Sequence, residues 1–352
     1  MSSEIHIGRR TIGKGKPVYI VAELSANHGQ RFEQAARLVE EAGRAGADAV
    51  KLQTYTPDTM TIRSDQRYFQ IGGGTLWDGR TLYDLYGEAY TPWEWQPKLK
   101  KLAEDLGMDL FSSPFDATAV EFLEHMAVPA YKLASFELVD FPLIRAMAST
   151  GKPLIMSTGM ATLDEIEEAV QVARDAGATE MALLKCTSEY PAMPGDMNLL
   201  TIPEMATKFG VPVGLSDHTT GVAVPAAAVA LGACIVEKHL TLSRAEKGPD
   251  SEFSLEPAEF KNMVDAVRTT EKALGQVHFG FSEREAASRT FRRSLFVVRE
   301  MKQGEVFSQE NLRAIRPAHG LHTRHLEEVL GKRAACAIER GTPLSWDLVA
   351  EA

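Results

Sequence analysis

Eight short β-like runs, each followed by a helical pattern, occupy the chain from its N-terminus to Gly275. The runs are PVYIVAEL (17–24), DAVKLQT (48–54), DLFSSPF (109–115), AYKLAS (130–135), PLIMSTG (153–159), MALLKCTS (181–188), VPVGLSDH (211–218) and CIVEKHL (234–240). Eight strand–helix pairs in a segment of this length are typical of a (β/α)₈ TIM barrel. The repeat therefore predicts an α/β fold of this class.

The helical patterns carry start and stop signals that favour this fold. In TLDEIEEAVQVARDAG, apolar residues recur at helical spacing, Thr162 and Glu165 form a capping box, and Gly177 ends the helix. A doubly wound open sheet is the alternative, but no Gly-x-Gly-x-x-Gly follows the first strand. The insert 56–90 is too long for a plain connection, and such loops usually belong to the substrate site of a barrel.

A second, smaller domain is predicted after the barrel. From Phe291 onward, short β-like pieces are separated by glycine-containing turns, and no helical pattern of barrel length occurs. The stretch that precedes Phe291 is typical of a linker. We therefore predict a TIM-barrel catalytic domain at 1–278, a linker at 279–290 and a small β-rich domain at 291–352.

Composition excludes several classes of protein. The 352 residues carry a formal net charge of −10, which disfavours nucleic acid as a partner. The N-terminus lacks the apolar region of a secretory signal, and glycine and proline interrupt the uncharged run Thr219–Val236, so no membrane span is expected. Three cysteines, an odd number in a long chain, favour a reducing compartment. These observations predict a cytoplasmic protein.

Polar residues gather at the ends of seven of the eight predicted strands. They include Glu23, Lys51, Gln53, Lys132, Ser135, Ser157, Thr158, Ser188, Tyr190, Ser216, His218, Glu237 and His239. The C-terminal ends of barrel strands form the face on which active sites lie, and each unpaired buried polar group costs about 1–3 kcal/mol. The concentration of polar residues therefore predicts a binding pocket rather than simple packing.

Two histidines, His218 and His239, end the last two strands, which are neighbours in a barrel. Neutral imidazoles suit metals such as Mn, Fe, Co or Zn, and two protein ligands leave positions open for water and substrate. The alternative is a pair of unrelated histidines that hydrogen-bond carbonyl groups at the pocket rim. Glu237 either orients this site or pairs with a lysine. The spacing alone leaves these alternatives open.

Lysines and hydroxyl groups at other strand ends predict a cradle for a phosphate or a carboxylate. The set is Lys51, Lys132, Ser135, Ser157 and Ser216. A lysine acts there as a point charge, and the hydroxyls donate hydrogen bonds. Each serine taken alone is better explained by a turn or a helix cap. Lys238 alternates away from the pocket, so a structural role is expected for it, and the rings of YTPWEW (90–95) are expected to pack.

Nine motifs resemble those of the sialic acid synthases in their order and spacing. They are VAELSANHGQ, AGADAVKLQTY, SSPFD, YKLASFE, STGMAT, LLKCTSEYP, GLSDHT, VEKHLT and GPDSEFSLEP. Further along, IRPAHG and GKRAACAIERGTPL resemble the antifreeze-like (SAF) domain of that family. The segment GGTLWDGRTLYDLYGEAYTPWEW and Phe136 resemble its pseudaminic acid branch. The resemblance covers nearly the whole chain.

The resemblance implies that phosphoenolpyruvate condenses with an acetamido-sugar, giving a nine-carbon 2-keto acid and phosphate. In the pseudaminic branch the acceptor would be 2,4-diacetamido-2,4,6-trideoxy-altrose. N-acetylneuraminic or legionaminic acid synthesis, from another acetamido-hexose, is the alternative. The resemblance further implies a divalent metal (Mn, Mg, Co or similar) held by His218 and His239, and no organic cofactor.

The resemblance also implies roles for single residues. Phosphoenolpyruvate would be held by Lys51, Lys132, Ser135, Ser157 and Ser216, with Ser188 and Tyr190 nearby. Ser188 stands where the family often has Asn. The acceptor or the proton transfers would be served by Glu23, Gln53, Glu137 and Asp250. Arg316, in IRPAHG, would reach the site of the other subunit in a homodimer with swapped domains.

Two other functions remain as alternatives at this point. A Schiff-base aldolase would use Lys51 or Lys132 as a nucleophile on pyruvate, but it leaves the histidine pair unexplained. A non-catalytic sugar-binding protein leaves the many polar strand ends unexplained. Sensitivity to EDTA separates a synthase from an aldolase, and phosphate release separates either enzyme from a sugar-binding protein.

Overall fold

The computed structural model describes residues 4–351, which fall into two compact units, one ending at Gly275 and the other beginning at Gln276. The strands are β1 (Glu4–Ile7), β2 (Arg10–Gly13), β3 (Tyr19–Glu23), β4 (Ala49–Thr54), β5 (Asp109–Pro114), β6 (Tyr131–Leu133), β7 (Leu154–Ser157), β8 (Met181–Cys186), β9 (Val213–Asp217), β10 (Ile235–His239), β11 (Ser294–Val297) and β12 (Leu312–Ile315). The α-helices are α1 (Phe32–Ala45), α2 (Pro57–Met60), α3 (Leu82–Ala89), α4 (Gln96–Asp105), α5 (Ala117–His125), α6 (Phe141–Ala148), α7 (Leu163–Asp175), α8 (Thr201–Phe209), α9 (Ala223–Ala230), α10 (Pro257–Leu274), α11 (Glu283–Ser288) and α12 (Leu326–Val329).

Strands β3 to β10 close into an eight-stranded parallel barrel in the order of the chain. β10 closes the barrel on β3, with Glu237 opposite Val21 and His239 opposite Glu23. Each of the eight predicted runs contains one of these strands, so the TIM-barrel prediction is confirmed and the open sheet is excluded. Because parallel strands share one direction, their C-terminal ends all lie on the same face.

The barrel strands are buried on both faces, since their inner side chains pack within the barrel and their outer side chains meet helices. All five residues of β3 and of β10 are buried. In the outer layer, α7 begins with the predicted capping box of Thr162 and Glu165. The residues that it buries are Ile166, Ala169, Val170 and Ala173. Burial of one such isoleucine or valine contributes about 1.5–3 kcal/mol, so this stripe holds α7 against the barrel.

An N-terminal hairpin, β1–β2, precedes the barrel and has no counterpart in the sequence-based prediction. Its turn residue Gly8 has φ +55°, and a Cβ atom there would collide with the carboxylate of Asp109, at the start of β5. Arg10 Nη1 donates to the same carboxylate at 3.0 Å. The buried residues of the hairpin are Ile5, Ile7 and Ile12. The hairpin therefore packs at the N-terminal end of the barrel, opposite the polar strand ends.

The second unit has a small hydrophobic core around the antiparallel pair β11–β12. This core includes Leu295, Val297, Met301, Phe307, Leu312, Val329, Ala334, Ile338, Leu344 and Val349. Its described α-helices, α11 and α12, have six and four residues, which agrees with a β-rich domain. α11 lies inside the segment 279–290, where Ser282 caps it. That segment is therefore partly helical rather than irregular throughout.

The cysteines and the helices bear on two expectations from composition. All three cysteines are free thiols, of which Cys186 and Cys234 are buried and Cys336 is exposed. None of the helices within residues 4–351 combines the length and the apolarity that crossing a bilayer requires. The uncharged run Thr219–Val236 instead contains α9 and the first residues of β10, in the wall of the barrel.

Candidate active site

A cavity of about 440 Å³ opens at the C-terminal ends of the barrel strands. The predicted site residues that line it are Lys51, Gln53, Lys132, Ser135, Glu137, Ser157, Tyr190, Ser216, His218, His239 and Asp250. Glu23 is fully buried against Lys51, and Ser188 lies with its Oγ 3.8 Å from Cys186 Sγ, which lines the cavity. Arg316 belongs to the second unit. Thirteen of the fourteen predicted site residues thus meet in one place within the barrel unit.

Two lysines and two carboxylates form a buried charge network in this pocket. Lys51 Nζ lies 2.7 Å from Glu23 Oε2 and 3.4 Å from Glu237 Oε1. Lys132 Nζ donates to Ser157 Oγ at 2.6 Å. Burial alone would lower the pKa of Lys51, but the two carboxylates outweigh it and raise the pKa. For Lys132, burial lowers the pKa despite the charge of Glu237. Glu237 pairs with a lysine, which is one of the two alternatives that its position left open.

Hydroxyl groups surround the lysines. The backbone N–H of Gly159 donates to Ser135 Oγ at 3.1 Å. A Cβ atom at position 159 would stand 2.8 Å from Ser135 Oγ and closer still to Ser188 Oγ, so only glycine lets these groups approach each other. Ser216 Oγ donates to Glu237 Oε1 at 3.5 Å. Hydroxyl donors beside ammonium groups suit a phosphate or a carboxylate ligand.

His218 and His239 lie next to each other at the ends of β9 and β10, with ring centroids 5.3 Å apart. His218 Nδ1 donates to the carbonyl of Thr187 at 2.9 Å, which leaves Nε2 free to bind a ligand. His239 Nδ1 is buried and has no hydrogen-bond partner among residues 4–351. Tyr190 packs on His218 and Phe253 on His239, with ring-centroid distances of 4.6 and 4.9 Å. Free imidazole nitrogens inside an apolar shell fit a metal site.

The ionisation of the two rings bears on metal binding. Burial lowers the pKa of His239 well below its ordinary value, so this imidazole is neutral, as a ligand must be. Burial alone would also lower the pKa of His218, but Cys186 and the Thr187 carbonyl outweigh it and raise the pKa. A metal would displace that proton. In the described part of the chain, no group of three or more His, Cys, Asp or Glu side chains is placed to hold an ion. A metal here would have two protein ligands and open positions for water and substrate.

Glu23 and Asp250 are positioned by the residues that follow β3 and by Gln53. Gln53 Nε2 donates to Glu23 Oε1 at 3.1 Å, and burial raises the pKa of Glu23 to about 7. Ser25 donates its hydroxyl to Asp250, which also accepts from the N–H of Ala26 at 3.1 Å. Ser25 has φ 47°, a strained conformation for a residue other than glycine and one that is found at functional sites. The turn after β3 thus holds Asp250 at the pocket.

The insert 56–90 folds over the same face and contains α2 and α3. Trp77 Nε1 donates to the carbonyl of Pro249 at 2.9 Å, and the Trp77 ring lies 5.8 Å from that of Tyr190. The insert residues that line the cavity are Met60, Ile71, Thr75, Trp77, Leu82, Leu85, Tyr86 and Ala89. The prediction that this insert belongs to the site is therefore confirmed.

Some pocket residues are absent from the sequence-based prediction. Apart from the insert, which is predicted as a whole, they are Tyr55, Phe115, Ala134, Cys186, Pro249 and Phe253. Phe115 and Cys186 lie inside the predicted strand runs 109–115 and 181–188, and Tyr55 directly follows the run 48–54. Their positions are therefore predicted, but not that they line the pocket. Phe253 lies in a loop, where no periodicity indicates a side chain's direction. Lys238 is outside the pocket, as expected, and its buried Nζ lies 2.5 Å from Asp217 Oδ2.

Replacement of Glu137 by glutamine should stabilise the protein at pH 8 by up to about 3 kcal/mol. Burial raises the pKa of Glu137 from 4.5 to about 7, and its buried Oε2 has no partner within the described chain. The folded state therefore binds more protons than the unfolded state between these values, and stability falls as the pH rises through this window. Denaturant unfolding at pH 4 and pH 8 measures the effect, which should be absent at pH 4. The surface variant Glu121→Gln is the control. Equal stability of Glu137→Gln and wild type at pH 8 would contradict the assignment.

A closed (β/α)₈ barrel with lysines, hydroxyls and a histidine pair at its C-terminal face is the architecture of a TIM-barrel enzyme. Comparison with known families identifies which one. The NeuB family matches residues 38–279, and the SAF domain matches residues 292–350. The chain belongs to the NeuB family.

Individual relatives agree with this placement. The pseudaminic acid synthase of Campylobacter jejuni subsp. jejuni serotype O:23/36 (strain 81-176) is 46% identical over 329 residues, which cover 94% of this chain and 96% of that protein. The pseudaminic acid synthase of Helicobacter pylori (strain ATCC 700392 / 26695) is 44% identical over 333 residues, covering 94% and 98%. The crystal structure of N-acetylneuraminic acid (sialic acid) synthetase from Leptospira borgpetersenii serovar Hardjo-bovis has a TM-score of 0.72 at 32% identity, covering 82% of this chain and 95% of that one. The resemblance drawn from the motifs is confirmed.

Proposed function

We propose that this protein acts as a pseudaminic acid synthase, which condenses phosphoenolpyruvate with 2,4-diacetamido-2,4,6-trideoxy-altrose to give pseudaminic acid and phosphate. The observation that carries the proposal is a single pocket that joins a lysine–hydroxyl cradle to the pair His218 and His239. The relatives that are 44% and 46% identical to this chain bear the same name, which favours this acceptor over those of the neuraminic and legionaminic branches.

Phosphoenolpyruvate has a phosphate and a carboxylate that need cationic partners. Lys51 and Lys132 would supply the charge, because both ammonium groups are buried at one face of the pocket. The hydroxyls that would donate hydrogen bonds to the same ligand are those of Ser135, Ser157 and Ser216. Tyr190 also lines the cavity, and Ser188 lies beside Cys186 at its edge. The carboxylates beside the lysines leave the pocket without a large excess of positive charge.

His218 and His239 would hold a divalent metal such as Mn, Mg or Co. When bound, the metal would supply Lewis-acid polarisation of the acceptor's aldehyde oxygen. The carbonyl of Thr187 orients the His218 ring, and Tyr190 and Phe253 cover the ring faces. These contacts would place the aldehyde end of the sugar beside phosphoenolpyruvate.

The residues around the cradle would carry the remaining steps. C3 of phosphoenolpyruvate would form a bond to the aldehyde carbon as the C=O π bond breaks and the aldehyde oxygen takes up a proton. Glu237, beside Lys51, would stabilise the positive charge that develops at C2. Water adds at C2, with Glu23, whose pKa is about 7, as the candidate acceptor of its proton. The bond from C2 to the phosphate oxygen then breaks and the proton of the C2 hydroxyl leaves with the phosphate, which gives the 2-keto acid. Gln53, Glu137 and Asp250 would orient the acceptor.

We also propose that the protein is a cytoplasmic homodimer in which the small domain of each copy serves the pocket of the other. Arg316 would donate hydrogen bonds to the acceptor from that domain, since a guanidinium presents several donors in a fixed plane. The support for this arrangement is the match of residues 292–350 to the SAF domain and the motif IRPAHG that contains Arg316.

We expect the purified protein to release phosphate from phosphoenolpyruvate only when an acetamido-hexose is present, and to form no covalent lysine adduct. Lys51 is held as a cation between two carboxylates, whereas a Schiff-base nucleophile needs a neutral amine. Lys132, whose pKa burial lowers, is the stronger candidate for an adduct, but its Nζ donates to Ser157 Oγ among hydroxyls that suit a phosphate. A phosphate-release assay over a panel of acetamido-hexoses, with borohydride treatment and mass spectrometry, checks both points. A reduced adduct on Lys51 or Lys132 would indicate an aldolase, and no phosphate release with any sugar would leave a sugar-binding protein. A larger kcat/KM with N-acetylmannosamine would place the chain in the neuraminic branch.

A further inference from the structure

The pocket has two walls of different chemistry. The wall built from strand ends is charged and includes Lys51, Lys132, Glu237 and the two histidines. The wall built by the insert consists of Met60, Ile71, Thr75, Trp77, Leu82, Leu85, Tyr86 and Ala89. None of these eight described lining residues carries a charge, and five of them, Met60, Ile71, Leu82, Leu85 and Ala89, have no nitrogen or oxygen in the side chain. The side of the insert that faces the cavity is therefore uncharged and largely apolar, in contrast to the charged strand ends.

The insert does contain charged residues, but they lie elsewhere. Arg80 pairs with Glu88 at 2.5 Å, and Arg63 Nη1 lies 3.6 Å from Asp84 Oδ1. Its loop carboxylate Asp78 accepts from the N–H groups of Gly74 and Thr75 at 2.9 Å. None of these five charged side chains lines the cavity. The apolar character of the pocket-facing side is thus specific to that side and does not follow from the composition of the insert.

An apolar wall selects among sugars because it has no hydrogen-bonding groups for a hydroxyl. A hydroxyl group pressed against it loses its hydrogen bonds to water and gains none, whereas a methyl group gains contacts. The aldehyde carbon of the acceptor would lie beside His218 and His239, so the other end of the open-chain sugar extends away from the strand ends. The side chains of the insert differ most in polarity from those of the lysine–hydroxyl cradle. They therefore suit the end of the sugar that lacks a hydroxyl group.

We infer that a methyl-binding subsite for the deoxygenated C6 of the acceptor is formed by Met60, Ile71, Leu82 and Leu85. Through this subsite the insert would select the sugar. The inference rests on the proposed function and deepens it, because it assigns acceptor choice to particular side chains. Phe136, which also lines the cavity and is 59% exposed, comes from the loop after β6 and lies outside this subsite.

The test compares three acceptors with wild type and with two near-isosteric polar variants, Leu82→Asn and Met60→Gln. The acceptors are the 2,4-diacetamido-2,4,6-trideoxy hexose, its 6-hydroxy analogue, and its analogue with a hydroxyl in place of the 4-acetamido group. Wild type should prefer the first sugar over the 6-hydroxy analogue by roughly 10²-fold in kcat/KM. Each variant should reduce this preference to about tenfold or less, chiefly by raising KM for the 6-deoxy sugar. KM for phosphoenolpyruvate should not change.

The control is Leu76→Asn, because Leu76 belongs to the same insert, is 43% exposed and does not line the cavity. It should keep the wild-type preference. If both pocket variants keep that preference while remaining active, the subsite does not exist. If the two pocket variants change only the preference for the 4-acetamido sugar over its 4-hydroxy analogue, the insert contacts the methyl of the acetamido group. The assignment to C6 is then wrong. Wild-type protein that turns over none of the three sugars overturns the proposed function itself, and the inference with it.

Discussion

Replacement of His218 by alanine should lower kcat by roughly 10³-fold or more, because Lewis-acid polarisation is worth several kcal/mol of transition-state stabilisation. Exhaustive chelation of the wild-type protein should have the same effect, and addition of Mn²⁺ should restore activity only to the wild type. The expectation rests on the free Nε2 of His218 and the unpartnered, buried Nδ1 of His239 within the described residues. The measurement is phosphate release under saturating phosphoenolpyruvate and acceptor.

Metal binding can be followed separately from turnover. Electron paramagnetic resonance should show tight Mn²⁺ binding to the wild type and much weaker binding to His218→Ala and to His239→Ala, since each variant keeps one of two protein ligands. The exposed histidine His125, on α5, supplies the control variant His125→Ala, which should bind and react as the wild type does. Full activity after exhaustive chelation, or Mn²⁺ binding that survives both substitutions, would remove the metal assignment.

Mixing inactive His218→Ala protein with inactive Arg316→Ala protein should restore activity from near zero to about one quarter of the wild-type value. If Arg316 serves the other subunit, a mixed dimer has one site with both defects and one site with neither. Random pairing makes about half of the dimers mixed, and half of the sites in these are intact. The mixture is prepared by joint unfolding and refolding, and phosphate release is measured against each variant refolded alone.

A control variant and a check of dimer formation accompany the mixing experiment. Arg313→Ala removes a neighbouring exposed arginine on β12 and should leave activity unchanged, which separates a role of Arg316 from a general effect of surface charge. Size-exclusion chromatography with one variant carrying a tag shows whether mixed dimers form. If mixed dimers form and no activity returns, Arg316 acts within its own chain. If the protein elutes as a monomer, the swapped homodimer is wrong.

The barrel could be predicted from the sequence because its signal is local and repeated. Each strand run contains a short apolar stretch, and helices such as α7 show their caps and their buried stripe in a few neighbouring residues. The hairpin β1–β2 has no such signal, since its strands are four residues long. Gly8 is required there by the carboxylate of Asp109, which lies in a different part of the sequence. A constraint between distant residues leaves no trace in a local pattern.

The candidate site likewise contains residues that a local pattern predicts and residues that it does not. Strand alternation is enough to place Lys51 with Gln53, and Ser216 with His218, on one side of the barrel. Glu137 lies in a 3₁₀ turn and Asp250 in a long loop, where alternation does not apply, so only the family resemblance indicated them. The apolar insert residues are indistinguishable from core residues until the fold shows that they face an open cavity.

The ion pairs of the insert, Arg80 with Glu88 and Arg63 with Asp84, have a consequence for how such an enzyme diversifies. Because both partners of each pair belong to the insert, these four charges do not depend on a charged group of the barrel, and we expect the segment 56–90 to be exchangeable as a unit. Natural variation in this segment can then change the sugar that is used while the chemistry at the strand ends stays constant. If the insert selects the sugar as we propose, transplanting this segment between members of the family should change the acceptor.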